Sequence, residues 1–147
     1  MSQRMLMEKV APQAYANIFE LHTYAANHVA RPVLDLMVLR ASMVNGCAFC
    51  VDLHSKDALK AGESAQRLFA LAAWRESPFF SREERAALAL TDAVTSIGED
   101  GVPGDVWEEA RAIWSEKEVA DLVMAAVMIN AFNRIAISTR KAPSLDA

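Results

Sequence analysis

Two thiols and an imidazole stand within eight residues of one another in the stretch Asn45-Gly46-Cys47-Ala48-Phe49-Cys50-Val51-Asp52-Leu53-His54. Both cysteines of the protein and one of its three histidines are here. On a helix, positions 47, 50 and 54 lie at i, i+3 and i+7 and share one stripe. Cysteines separated by two residues can close a small disulfide with little chain movement, so the pair can cycle between thiol and disulfide. Only the thiolate is a good nucleophile, and a free thiol with a pKa around 8.5 is mostly protonated at neutral pH. A helix starting near Ala48 would favour an anion at its N-terminus, which points to Cys47. His54, one turn beyond Cys50, could take the proton of that thiol and stabilise the thiolate as an imidazolium, which points to Cys50. Spacing alone does not choose between them.

A proton relay needs a carboxylate to orient its histidine. Asp52 points away from both Cys50 and His54 on the same helix and reads as solvent-facing. Asp35 interrupts the apolar run Val33-Leu34-Asp35-Leu36-Met37-Val38 on the preceding helix. It is either a relay member or an acid placed in the first turn after Pro32 by helix-end electrostatics.

The elements that would carry these residues read as helices throughout. Pro12 and Pro32 each sit where a first helical turn tolerates proline, and Gly46 can end the second helix in a left-handed cap. The cysteine stretch opens a third helix from about Ala48 to Ala61, with Gly62 as its stop. Ser64 caps a fourth, which stops near Ser77-Pro78. Ser81-x-x-Glu84, Asp105-x-x-Glu108 and Ser115-x-x-Glu118 each have the spacing of a capping box. The last opens the longest helix, about Glu116 to Thr139, apolar nearly all round and placed at the centre of the fold. No strand pattern survives. The reading is one all-α domain over residues 1–147, with six or seven helices and short loops.

Composition narrows the partners. Hydrophobic residues make up 53% of 147 and the net charge is −4, which suits one domain with a sizeable core. There is no dense Lys/Arg stripe, so no nucleic-acid partner is expected. The N-terminus has no signal-like run, and the apolar stretch Leu122 to Ile129 is far too short to span a bilayer, so no membrane partner is expected and a cytoplasmic location is. In that compartment a close cysteine pair is more often redox-active or metal-binding than a structural staple.

The run from Asp35 through Ser42, Asn45, Cys47 and Cys50 to His54 resembles the core motif of the AhpD-like alkylhydroperoxidases, within the carboxymuconolactone decarboxylase superfamily. Asp57-Ala58-Leu59-Lys60-Ala61-Gly62 is similar to the family's continuation, and Ile129-Asn130-Ala131-Phe132-Asn133-Arg134-Ile135-Ala136 resembles its C-terminal helix. The resemblance implies an all-helical fold that assembles into homo-oligomers, commonly trimers or hexamers, and thiol-dependent reduction of a hydroperoxide substrate without a cofactor. It implies that Cys50 attacks the peroxide and becomes a sulfenic acid. It further implies that Cys47 donates a proton and resolves that acid to a disulfide, while His54 and the upstream acid complete a relay. The electron donor would be a thiol protein, lipoylated in the best-known members, or a thioredoxin-like reductant. The family usually has Glu where this chain has Asp35, one methylene shorter, so either a water bridges the gap or the relay is weaker.

Other readings compete at the same cluster. A structural zinc wants four ligands. Cys47, Cys50 and His54 supply three, with His22, His28 or Asp35 as a fourth, but no second pair at finger spacing exists and no metal is expected. The cysteines could be an inert buried pair. Thioredoxin-like chemistry normally needs a βαβ setting, and the decarboxylase branch of the superfamily lacks the cysteine pair. A non-enzymatic helical oligomer that senses oxidants, or is stabilised by the pair, is the remaining alternative. His22 and His28 read as ordinary core or surface residues. Trp74, Trp107 and Trp114 read as core or subunit-contact anchors, the seven methionines as gap fillers, and Arg134 as half of a structural salt bridge.

Overall fold

A computed structural model describes residues 2–144, and its elements follow the punctuation of the sequence. The helices are α1 (Met7–Val10), α2 (Pro12–His28), α3 (Arg31–Asn45), α4 (Ala48–Lys60), α5 (Ala65–Ala70), α6 (Arg82–Thr95), α7 (Gly104–Ile113) and α8 (Glu116–Thr139). A 3-10 turn, Leu71–Ala73, prolongs α5, and among the described residues the only β pairing is an isolated bridge between Gly98 and Gly101. The one-turn α1, with no buried residue, is an addition to the sequence reading.

The capping boxes at Ser81 and Ser115 both form, each serine accepting from the backbone N–H of the glutamate three residues on and each glutamate reaching back. The third does not. Pro103 occupies the cap and α7 begins at Gly104, so Asp105 lies inside the first turn, where its charge suits the helix dipole. Asp35 is likewise displaced from its expected place: α3 begins at Arg31, which puts Asp35 beyond the first turn.

α8 is the central element. It packs against α2, α3 and α6, and α3 lies between α4 and α6. Val119, Leu122, Ala125, Ala126, Met128 and Ile129 from α8 meet Leu34, Met37, Val38 and Ala41 of α3 in the main core. A second core joins Leu36 and Leu39 of α3 to Leu68, Leu71, Trp74 and Leu88. α8 is long and apolar enough to cross a membrane by length and composition alone, a test that core helices also pass, and half of that stretch is buried inside the fold. It is not apolar and buried all round, since Met124, Val127 and Ile137 are exposed.

Among the described residues the buried side-chain polar atoms find hydrogen-bond partners, with Trp114 Nε1 the exception. Asp92 accepts from Arg40 (2.6 and 3.1 Å), Trp74 (3.1 Å) and Arg75 (2.6 Å), pinning α3 and the 3-10 segment to α6. At the opposite end of α2, Asp121 accepts from Tyr24 (2.7 Å) and Lys117 (2.5 Å), tying α2 to α8. Arg134 is exposed and donates to the Asn130 side chain (2.6 Å), so the expected carboxylate partner is absent among the described residues. Of the tryptophans, Trp74 is buried but Trp107 is 44% exposed and anchors no core.

Candidate active site

The α3–α4 corner that holds the cysteines is built by Asn45 and Gly46. Gly46 takes a left-handed conformation (φ 69°) that ends α3, and its N–H and that of Cys47 satisfy the Met43 and Ser42 carbonyls. The Asn45 amide donates to Asn130 Oδ1 and Asn133 Oδ1 of α8, both at 2.9 Å. Asn133 donates on to Ser42 Oγ (3.0 Å), and Asn130 to Thr95 Oγ1 of α6 (2.9 Å). These buried amides are why α8 tolerates two asparagines in an apolar run: each satisfies polar groups that would otherwise be stranded. The sequence reading left their purpose open.

Cys47 is the N-cap of α4, and its Sγ accepts the Cys50 N–H at 3.4 Å. The two sulfurs are bonded to each other, with Cα atoms 5.3 Å apart. Both residues are buried, at 1% and 3% exposure, against Ala136 and Phe49. They differ in outlook. Cys50 lines a cavity of about 410 Å³ formed by α2, α3, α4 and α8, whereas Cys47 does not line it.

His54 and Asp35 line the same cavity. Burial lowers the His54 pKa to about 4; the Asp57 carboxylate opposes this and His22 adds to it. Among the described residues the imidazole makes no hydrogen bond. Asp35 is engaged by Arg31, whose Nε donates to both carboxylate oxygens at 2.7 Å. Burial nevertheless raises the Asp35 pKa, overcoming the Arg31 hydrogen bond and charge, with Asp57 and Glu63 pushing the same way. The four residues expected at the site therefore gather around one corner, but no hydrogen bond joins Asp35 to His54 among the described residues. Asp52, partly exposed, pairs with Lys56 at 3.0 Å.

Several wall residues were not assigned to the site by the sequence, and His22, read as an ordinary core or surface residue, is one of them. His22 faces the cavity from α2, while His28 does not and stacks on Tyr24 with ring centroids 4.1 Å apart. Tyr15, Phe19, His22 and Ala26 line the cavity at successive helical spacings, a stripe visible in the sequence although its target was not. Phe132 of α8 meets Phe19 edge-on at 5.1 Å. Arg31 was detectable as the i−4 partner of Asp35. Among the described residues no group of three or more His, Cys, Asp or Glu is arranged to hold a metal ion.

This architecture has known counterparts. The model of the carboxymuconolactone decarboxylase family matches residues 11–93. The uncharacterized protein YdfG of Bacillus subtilis is 38% identical over 139 residues, covering 94% of this chain and 95% of that one. A crystal structure of a protein of unknown function from Agrobacterium tumefaciens superimposes with a TM-score of 0.94 at 38% identity, covering 99% of this chain and all of that one. An uncharacterized peroxidase-related protein with an AhpD core, from Ralstonia eutropha JMP134, shares the fold at TM-score 0.81 and 17% identity, covering 95% of this chain and 75% of its own.

Proposed function

We propose that this chain, which belongs to the carboxymuconolactone decarboxylase family and has the AhpD-like fold, is a thiol-dependent peroxidase acting on hydroperoxides through Cys50 and Cys47. The observation that carries this reading is the unequal outlook of the two sulfur-bearing residues: Cys50 borders the cavity and Cys47 is behind it. A substrate entering the cavity meets Cys50 first.

In the reduced protein, His54 is the base. The imidazole is unprotonated at neutral pH, and although burial makes it a weak base, the thiolate formed one turn away on α4 stabilises the imidazolium once the Cys50 proton is transferred. The thiolate attacks the terminal peroxide oxygen, the O–O bond breaks, and the departing alkoxide takes a proton to leave as an alcohol. Cys50 is now a sulfenic acid. Cys47 attacks that sulfur, water leaves, and the disulfide forms. A dithiol donor, lipoylated or thioredoxin-like, then reduces the disulfide by exchange and is itself oxidised. A reducing, cytoplasmic compartment suits this cycle. Asp35 contributes as an acid held by Arg31, acting on the charge of the cavity rather than by direct contact with His54. The exposed Met124 and Val127 on α8 support assembly into a homo-oligomer.

The test is consumption of cumene hydroperoxide with dihydrolipoamide or a thioredoxin system as donor. Wild-type protein is expected to turn over, and Cys50→Ser to be inactive. Cys47→Ser should accumulate a sulfenic acid that dimedone labels. Labelling at Cys47 in the Cys50→Ser protein, with none at Cys50 in the other variant, would reverse the assignment. No turnover with any dithiol would sink the peroxidase reading.

A further inference from the structure

The cavity beside Cys50 differs chemically at its two ends. Phe49 and Asp57 both line it from α4, and eight residues of helix separate them by about 12 Å. At the Asp57 end the charges are matched or acidic: Arg31 is paired with Asp35 and also donates to the Asp57 carbonyl at 3.5 Å. At the Phe49 end, among the described residues, the charge lining the cavity is a cation. Lys141 lines the cavity there, its Nζ 4.4 Å from the centroid of the Phe49 ring.

Lys141 is held in place by its backbone. Arg140 turns the chain in a left-handed cap (φ 57°), and the Lys141 N–H returns to the Ala136 carbonyl at 2.9 Å. The ring face fixes the ammonium without neutralising it. Among the described residues no carboxylate pairs with Lys141. Between the two ends the walls are mainly apolar, with Leu53, Phe132 and Ile135 facing the space. A ligand that fills such a site has an apolar body and one anionic end, and that end is drawn to Lys141 and repelled by Asp57. One ammonium with no guanidinium beside it suits a carboxylate better than a phosphate dianion.

We infer that the cavity takes an apolar organic hydroperoxide carrying a carboxylate, and that Lys141 is the residue that selects for that carboxylate. The hydroperoxide part rests on the peroxidase reading above; the carboxylate part rests on Lys141 and can be tested without turnover. The probes are 5-phenylpentanoate and 5-phenylpentan-1-ol, titrated calorimetrically into the disulfide form. The carboxylate is expected to bind roughly tenfold more tightly than the alcohol, a difference typical of one well-placed charge pair. Lys141→Met should bring that ratio close to one, Lys141→Arg should restore it, and Lys9→Met, on α1 outside the cavity, should keep it. Equal affinities in the wild type, or a ratio that survives Lys141→Met, would overturn the inference, as would failure of both probes to bind. Peroxide consumption measured in parallel with neutral cumene hydroperoxide reports separately on the peroxidase reading.

Discussion

His54 couples the site to pH. Its pKa is about 4 in the folded protein, while an imidazole in an unfolded chain titrates near 6.5. The folded state therefore disfavours the protonated ring. Its contribution is fully present above about pH 6.5 and is lost as pH falls toward 4, with a total on the order of 3 kcal/mol. Urea unfolding of the oxidised protein between pH 7 and 4.5 should show falling stability, and His54→Gln should flatten that slope. A slope unchanged by the substitution would place the titration elsewhere. Asp35 behaves in the opposite sense, because burial raises its pKa. Replacing the cation that restrains it, in Arg31→Gln, leaves burial unopposed among the described residues. The carboxyl should then titrate at a still higher pH, as a carbon-13 NMR titration of Asp35 would register.

The cysteines and His54 were legible as a group because their spacing follows helical geometry, and Asp35 because an acid interrupts an apolar run on the preceding helix. Which cysteine borders the cavity was not legible from spacing, because α2 and α8 contribute walls that the sequence holds far from Cys50. For the same reason His22 read as an ordinary core or surface residue: its neighbour His54 lies on another helix. Asp105 shows a different limit: its spacing satisfied the capping pattern, but Pro103 set the helix start two residues earlier than the pattern required.

At the scale of the element, the amides at the α3–α8 contact decide where the cysteines sit. Asn133 is fully buried and serves both Asn45 and Ser42. Asn133→Leu removes one of the two acceptors of the Asn45 amide and the donor to Ser42 Oγ, and should cost about 2 kcal/mol in urea unfolding. Disulfide closure should slow with it, since the turn before Cys47 keeps only its Asn130 anchor on α8. Ser115→Ala removes only a cap and should cost about 1 kcal/mol. A larger loss for the cap than for Asn133 would mean that the amides are incidental to the corner. The two serine boxes were readable because a cap is a local device. The Asn130 and Asn133 pairings, 85 and 88 residues from Asn45, were not, because nothing local distinguishes a buried amide from an exposed one.

For the whole molecule, the fold class was the most readable property. Periodicity, prolines at helix starts and glycines at helix ends are all short-range, and together they leave little besides a helical bundle. The central place of α8 was readable, but its outward surface was not, since composition alone cannot say which side of a long apolar helix is covered. Met124 and Val127 lie one turn apart on that surface, and the expected state in solution is a trimer or hexamer. Sedimentation velocity should find it, and Val127→Glu should yield smaller species that still show the helical far-ultraviolet spectrum. A wild-type monomer at micromolar concentration would remove the oligomer from the proposal.

The Asn45–Gly46 corner also has a chemical lifetime. Asparagine followed by glycine is the pair most prone to cyclise and deamidate, because glycine leaves the next backbone nitrogen unhindered. In the folded chain the Asn45 amide is committed to two acceptors on α8, and the backbone is fixed in a helix end, so cyclisation has neither the freedom nor the geometry it needs. Unfolded protein has no such protection. A carboxylate formed there would face two amide oxygens where a donor is required, so chains aged in denaturant should recover the helical spectrum poorly on refolding. Peptide mapping should locate the damage at Asn45 in those chains and leave natively stored protein intact.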